Sequence, residues 1–163
     1  MTMEIPLTQG EYAIVDDDDY DYLMQWKWSV LSPGTGKNKL YAARALRKGE
    51  PGYVPKWKMR MHHAVVGEVT LVDHKNGDGL DNRRSNLRVA TIAQNNYNLP
   101  ARGFVPFKGV RVYGDQFTAH IVAEGTALRL GIFDMEEEAA HAYDAAARVH
   151  HAEFAYLNFP EER

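Results

Sequence analysis

The run Asn76-Gly77-Asp78-Gly79 constrains the fold of this chain more than any other. Two glycines alternating with Asn and Asp do not continue a regular strand or helix, so a turn must separate the residues before it from those after it. Residues 69–74 read as a strand ending in Asp73-His74, and residues 87–90 as a second short strand. Between them lies an irregular loop rich in Asn, Asp and Arg. Thr91-Ile92-Ala93-Gln94 then carries the Thr-x-x-Gln spacing of a capping box. That spacing predicts a helix starting at Thr91, with Asn95 on its first full turn, able to face back toward Asp73. The order is strand, loop, strand, helix.

The residue types along this segment suit metal-assisted cutting of a phosphodiester. A magnesium ion prefers oxygen ligands, keeps several waters, and takes one or two protein donors beside substrate phosphates. Asp73 and a carboxamide oxygen meet that need. Hydrolysis also requires a group that accepts a proton from water, and histidine, with an ordinary pKa of about 6.5, matches neutral pH best. His74 adjoins Asp73. Strand neighbours point to opposite faces, so the two work together only where the chain twists or ends and the metal and water sit at the strand's edge. Asn86, where the loop rejoins the second strand, is suited to bond loop backbone groups and hold the imidazole's orientation. Alone, an Asp-His pair in a Gly-Asn loop reads as a solvated turn; joined to Asn86 and Asn95 it reads as a site.

The segment resembles the H-N-H homing endonucleases, with their ββα-metal fold, on Asp73-His74, Asn86-Leu87-Arg88 and Gln94-Asn95-Asn96. The resemblance implies that His74 is the general base, Asn86 the loop brace, and that Asp73 and Asn95 hold one divalent cation, Mg²⁺ or else Mn²⁺. It also implies products with 5′-phosphate and 3′-hydroxyl ends. Asn96 and Asn98 stay open as alternatives to Asn95. The family shows Met-His-Arg-Leu upstream; here Met61-His62-His63 puts histidine where arginine is usual. His62 and His63 are read as packed or exposed strand histidines, outside the catalytic set.

From Phe107 onward the pattern is alternation followed by a helix. Residues 107–113, 116–122 and 128–132 read as three strands, separated by turns at Tyr113-Gly114-Asp115-Gln116 and Ala123-Glu124-Gly125-Thr126. Val110, Val112, Phe117, Ala119, Ile121, Leu128, Leu130 and Ile132 would share one face, and Arg111, Tyr113, Thr118, His120 and Arg129 the other. Asp134-Met135-Glu136-Glu137 has capping-box spacing and opens a helix to about Val149, with Ala139, Ala142 and Ala146 as a flat stripe against the apolar face. Lys108-Gly109-Val110-Arg111, Leu130-Gly131-Ile132-Phe133-Asp134, Ala142-Tyr143-Asp144-Ala145-Ala146 and Leu157-Asn158-Phe159-Pro160 together resemble the plant ethylene-response-factor (apetala-type) DNA-binding domain. That resemblance implies a sheet laid on double-stranded DNA, with Lys108, Arg111, His120 and Arg129 as contacts. Phe117 and Arg129 stand where the family has tryptophans. Arg83 and Arg84 in the loop are expected to touch DNA as well.

A net charge of −3 suits a DNA binder only when it is divided along the chain. Residues 56–111 hold ten Lys/Arg against four Asp/Glu, a net +6, whereas residues 112–163 hold three against ten. The positive field therefore lies where a phosphate backbone would run. The chain has no cysteine, so neither disulfides nor a thiolate zinc site hold it together. No run is apolar enough to span a bilayer, and the first residues lack a basic region followed by an apolar stretch. A cytoplasmic protein, phage-like or mobile-element-like in plan, is expected.

The N-terminal part reads as strands near residues 11–15, 26–30, 39–46 and 54–62, with a short helix near 20–25. Asp16 to Asp19 are expected at a helix start or on the surface, because consecutive carboxylates do not converge on one ion in regular structure. Trp26, Trp28 and Trp57 are expected in the core.

The reading is therefore an α+β protein. Residues 1–98 form a ββα-metal nuclease module with a β-rich N-terminal extension, residues 99–106 a linker, and residues 107–160 a three-stranded antiparallel sheet packed on one helix. The expected function is a metal-dependent DNA endonuclease of the H-N-H homing type, nicking one strand per site at a target held by the sheet. A catalytically inactive DNA-binding regulator is the alternative, and an RNA-directed or structural nucleic-acid protein ranks last. Monomer and homodimer both remain open.

Overall fold

Period-two alternation at the start of the chain makes a hairpin in the computed structural model, which describes residues 1–32, 39–67 and 71–161. In β1 (Thr2–Pro6) Ile5 is buried, and in β2 (Tyr12–Asp16) Ala13 and Val15 are. Ile5 pairs with Ala13 and Met3 with Val15, so the apolar side chains share one face. The acidic run then opens α1 (Asp17–Met24), with Asp17, Asp18 and Asp19 in the first turn, where the helix dipole favours anions. Leu23 closes the buried face, and its carbonyl accepts the Trp28 indole N–H at 2.8 Å.

Three further strands form one antiparallel sheet in the order β3 (Ser29–Leu31), β4 (Tyr41–Ala45), β5 (Lys58–Arg60). The strand expected over residues 54–62 ends at Arg60, and Met61–Val66 is a helix, α2. His62 and His63 are thus helical, a correction to their reading as strand histidines. Arg60 at the N-cap has no side-chain cap, so the start of this helix carries no local signal. Past Gly67 the chain enters β6 (Val72–His74), which pairs antiparallel with β7 (Leu87–Val89). Val69 and Thr70, expected in the same strand, lie outside the described residues. The core gathers Ile5, Val15, Leu23, Trp28, Met61, Val65, Val72 and Leu87. Trp57, expected in the core, is 54% exposed instead.

Residues Met1–Ala90 and Thr91–Arg163 are two compact units. The second unit begins with α3 (Ile92–Tyr97), whose capping box forms as expected. Thr91 Oγ1 accepts from Gln94 N at 3.2 Å, and Gln94 Oε1 accepts from Thr91 N at 2.8 Å. The sheet follows in the order β10-β9-β8, with β8 (Val110–Tyr113), β9 (Gln116–Ala123) and β10 (Thr126–Phe133). The helix α4 (Glu136–His150) buries Ala139, Ala140, Tyr143 and Ala147. Ala142 and Ala146, expected in the central stripe, sit half-buried at its margins.

Two expectations fail here for local reasons. Asp134 makes no cap for α4; its carboxylate accepts from Gln116 Nε2 at 2.7 Å, and Met135 takes the N-cap position. In β10 the register slips between Arg129 and Gly131, a bulge centred on Leu130. Beyond it Phe133 pairs with Phe117 on the helix side, whereas Ile132 pairs with Thr118, which faces Arg111. Ile132 therefore leaves the apolar face on which simple alternation put it. Asp144 ties the tail to α4, accepting from Asn158 N at 2.9 Å and Phe159 N at 2.8 Å. The fold is α+β. No helix among the described residues is long and apolar enough to cross a membrane.

Gly79 shows how closely the loop after β6 approaches β4. A Cβ there would lie 2.4 Å from Leu40 O and 2.6 Å from Tyr41 Cδ1. Since overpacking costs about 1–3 kcal/mol, Gly79→Ala is expected to lower the midpoint of thermal unfolding, as read by circular dichroism.

Candidate active site

The loop between β6 and β7 is held by side chains. Asn86 is buried, and its Oδ1 accepts from Asn76 N at 3.0 Å while its Nδ2 donates to Asn76 Oδ1 at 3.0 Å and to Asp81 O at 2.8 Å. Asn76 Nδ2 donates in turn to Asp81 Oδ2 at 2.9 Å. The far side of the loop is pinned to the edge of β2, with Ile14 N donating to Leu80 O at 2.9 Å and Asn82 N to Ile14 O at 2.7 Å. A loop of this length, so fully bonded, presents its residues from a fixed frame.

The hairpin register sets Asp73 opposite Arg88 and His74 opposite Leu87. Asp73 Oδ2 accepts from Arg88 Nε at 2.9 Å and Nη2 at 2.7 Å, and both side chains are buried. His74, on the other face of a strand that ends at this residue, meets an aromatic cluster. Its ring centroid is 5.0 Å from that of His62 and 5.9 Å from that of Tyr41, in edge-on geometry. His62 lies 5.9 Å from Tyr41, over which the Arg60 guanidinium sits at 4.7 Å.

Both imidazoles are held neutral at pH 7. Burial lowers the His74 pKa to about 4, opposed by the side chain of Asn82 and by the carboxylates of Asp73 and Asp78. Burial and then the neighbouring His74 and His63 lower that of His62 to about 2. A neutral imidazole is the form that accepts a proton, so His74 stands in the state a general base requires.

Sequence reasoning left His62, Tyr41, Asn82 and Arg88 out of the site. Met61-His62 carried a signal, since histidine is usual at that place in the resembling family, but a strand reading concealed its approach to His74. Tyr41 and Asn82 carried none.

Arg83 and Arg84 are engaged inside the unit. Arg83 pairs with Asp81 at 2.8 and 2.6 Å, and Arg84 with Asp19 at 2.8 and 2.6 Å, while Arg84 N donates to Asp16 Oδ2 at 2.8 Å. Asp16 and Asp19 thus anchor the loop to the start of α1, where the acidic run was expected, although Asp19 is buried there.

Asn95 lies half-buried on α3, in the second unit. On the sheet of that unit Arg111, His120 and Arg129 come together: Arg111 pairs across with Thr118, Arg129 with His120, and His120 Nε2 lies 3.0 Å from Thr118 Oγ1. Burial lowers the His120 pKa, and so do both arginines. Lys108 stands apart from this set. Its ammonium donates to the carbonyls of Tyr97 and, at 3.3 Å, Asn96, and burial lowers its pKa to about 8.

Among the described residues no three His, Cys, Asp or Glu side chains gather as a metal cluster. A hard cation that keeps most of its waters needs only one or two protein oxygen donors, and the carboxylate nearest His74 in sequence, Asp73, has its Oδ2 engaged by Arg88.

Comparison with known proteins agrees with this geometry. Residues 50–97 match the HNH endonuclease family model. That span runs from the approach to β5 through the loop to α3, and so contains Asp73, His74, Asn86 and Asn95 together with His62. The chain is also 28% identical over 159 residues to a protein of Acanthamoeba polyphaga mimivirus described as an uncharacterized HNH endonuclease, covering 92% of this chain and 76% of the viral one. Similarity to an HNH endonuclease thus extends well beyond the hairpin.

Removing one partner of a buried ion pair leaves the other charge in a poor solvent, at a cost of about 3–5 kcal/mol. Arg88→Ala is therefore expected to lower stability on that scale, measured by urea unfolding, and Arg88→Ala with Asp73→Ala to cost less than the single change. For pH the sign follows from the two histidines: the unfolded chain takes up protons near 6.5, the folded one only near 4 and 2. Stability falls as pH drops from 6.5 toward 4, and the slope of melting temperature against pH is expected to be shallower in His62→Gln.

Proposed function

We propose that this chain is a metal-dependent DNA endonuclease of the H-N-H homing type. The observation that carries the reading is a buried, neutral His74 beside Asp73 on a loop braced by Asn86, within the segment that matches the HNH endonuclease family. His74 accepts a proton from the attacking water, and the growing positive charge on its ring is favoured by Asp73, Asp78 and the Asn82 side chain. Asn86 holds the frame that keeps the imidazole in place. Asp73 is the proposed holder, in the first unit, of the divalent cation, Mg²⁺ or Mn²⁺, which when bound would neutralise the scissile phosphate and the leaving 3′-oxygen. Arg88 steadies the Asp73 carboxylate in its buried position.

The second unit is proposed to hold the target duplex in the manner of an ethylene-response-factor domain. Arg111, His120 and Arg129 offer phosphate and base-edge contacts from one sheet face, a geometry suited to the major groove. Lys108 is better read as a cap on the carbonyls at the end of α3, and Arg83 and Arg84 as loop anchors. One such site cuts one strand, so the proposed product is a nick.

Supercoiled plasmid incubated with Mg²⁺, Mn²⁺ or EDTA tests the reading. Cation-dependent nicking is expected in the wild type and a loss of at least about a hundredfold in His74→Ala, the scale of a general base, with DNA binding retained. Binding without cutting across a broad DNA panel would favour a regulator. Arg111→Ala with Arg129→Ala is expected to weaken duplex binding and flatten its salt dependence in mobility-shift titrations, leaving the rate at saturating DNA near wild type.

A further inference from the structure

A second constellation in the first unit is unused by the chemistry above. A groove of about 450 Å³ is lined by Lys56, Trp57, Lys58, Arg60, His62 and Val72 among others; of its described lining residues three are Lys or Arg and none is acidic. Trp57, one of its lining residues, is 54% exposed. The groove reaches the active site twice over, because His62 lies 5.0 Å from His74 and Val72 precedes Asp73 in β6.

We infer that this groove is a subsite for an unpaired nucleotide of the DNA strand next to the scissile phosphate. The substrate class rests on the nuclease reading; the groove's own chemistry supplies the rest. Lys56, Lys58 and Arg60 form a cationic track for a phosphodiester backbone, and Trp57 offers a flat ring. A base inside a duplex has both faces covered by its neighbours and shows only its edges in the grooves. An aromatic ring gains stacking energy only from a base that has left the stack. A cationic groove bearing an aromatic platform is accordingly selective for locally unpaired strand. The enzyme then favours sites where the duplex opens easily, at mismatches, flaps or distorted steps, and Trp57 is the residue that sets this preference.

The test uses the full chain in EDTA, so that binding is read without cutting. Fluorescence anisotropy is measured on labelled oligothymidylate and on a fully paired hairpin, for the wild type, Trp57→Ala, Trp57→Phe and Lys58→Ala. Trp57→Ala is expected to weaken oligothymidylate binding about tenfold, the scale of one base stacked on an aromatic side chain, while hairpin binding changes less than twofold. Trp57→Phe restores most of the loss, and oligothymidylate quenches a part of the tryptophan emission that this variant lacks. Lys58→Ala, at an exposed side chain, weakens single-strand binding and steepens no melting curve, which guards against a folding defect in the tryptophan variants. Equal binding of oligothymidylate by wild type and Trp57→Ala, equal loss on both substrates, or tighter binding of the matching ribo-oligomer would each overturn the assignment. Absence of cutting by the wild type would count against the nuclease reading alone and leave these binding results standing.

Discussion

The carboxamide of Asn86 is the interaction on which the first unit's chemistry depends. It bonds both the backbone and the side chain of Asn76 and the carbonyl of Asp81, closing the loop after His74 into a single hydrogen-bonded body. The segment is too polar to collapse and too rich in glycine to form a ladder, so its shape rests on such bonds. Once the loop is closed, Gly79 lies against Tyr41, Asp81 is fixed for Arg83, and the end of β6 has a rigid neighbour. The imidazole of His74 inherits its position from this chain of bonds.

Charge in the first unit is divided between two tasks. Arg83, Arg84 and Arg88 answer Asp81, Asp19 and Asp73, and hold the loop, α1 and the hairpin in register. Lys56, Lys58 and Arg60 line an open groove with no acidic side chain among its described lining residues. A count of basic residues along the chain treats the two groups alike. Only the positions of the aspartates separate internal anchors from cations directed outward.

Much of this was legible in the residues and some was not. The turn at Asn76 to Gly79, the pairing of the strands on either side, the Thr91 capping box and the pairing of β8 with β9 each follow from local rules, and the structure has them, whereas Val112, placed by alternation on the apolar face, is exposed. The failures have causes that local rules do not carry. Lys58 to His62 alternates polar and apolar like a strand, and α2 starts at an arginine that caps nothing, so His62 was hidden. Asp134 has the spacing of a cap but bonds Gln116, a partner fifteen or more positions away that spacing does not reveal. Trp57 is apolar enough for any core, and its exposure reflects the cationic segment that carries it. Long-range partners decide these cases.

The bulge at Leu130 has a consequence for the second unit as a molecule among others. A three-stranded sheet with one polar face open to solvent presents unpaired N–H and C=O groups along both of its edges, and such edges recruit further strands from other chains. Here one edge strand, β8, is only four residues long, and the other, β10, carries the register slip between Arg129 and Gly131. Neither edge offers a long, flat template for continuation. The sheet can therefore leave one face uncovered while its borders resist self-assembly.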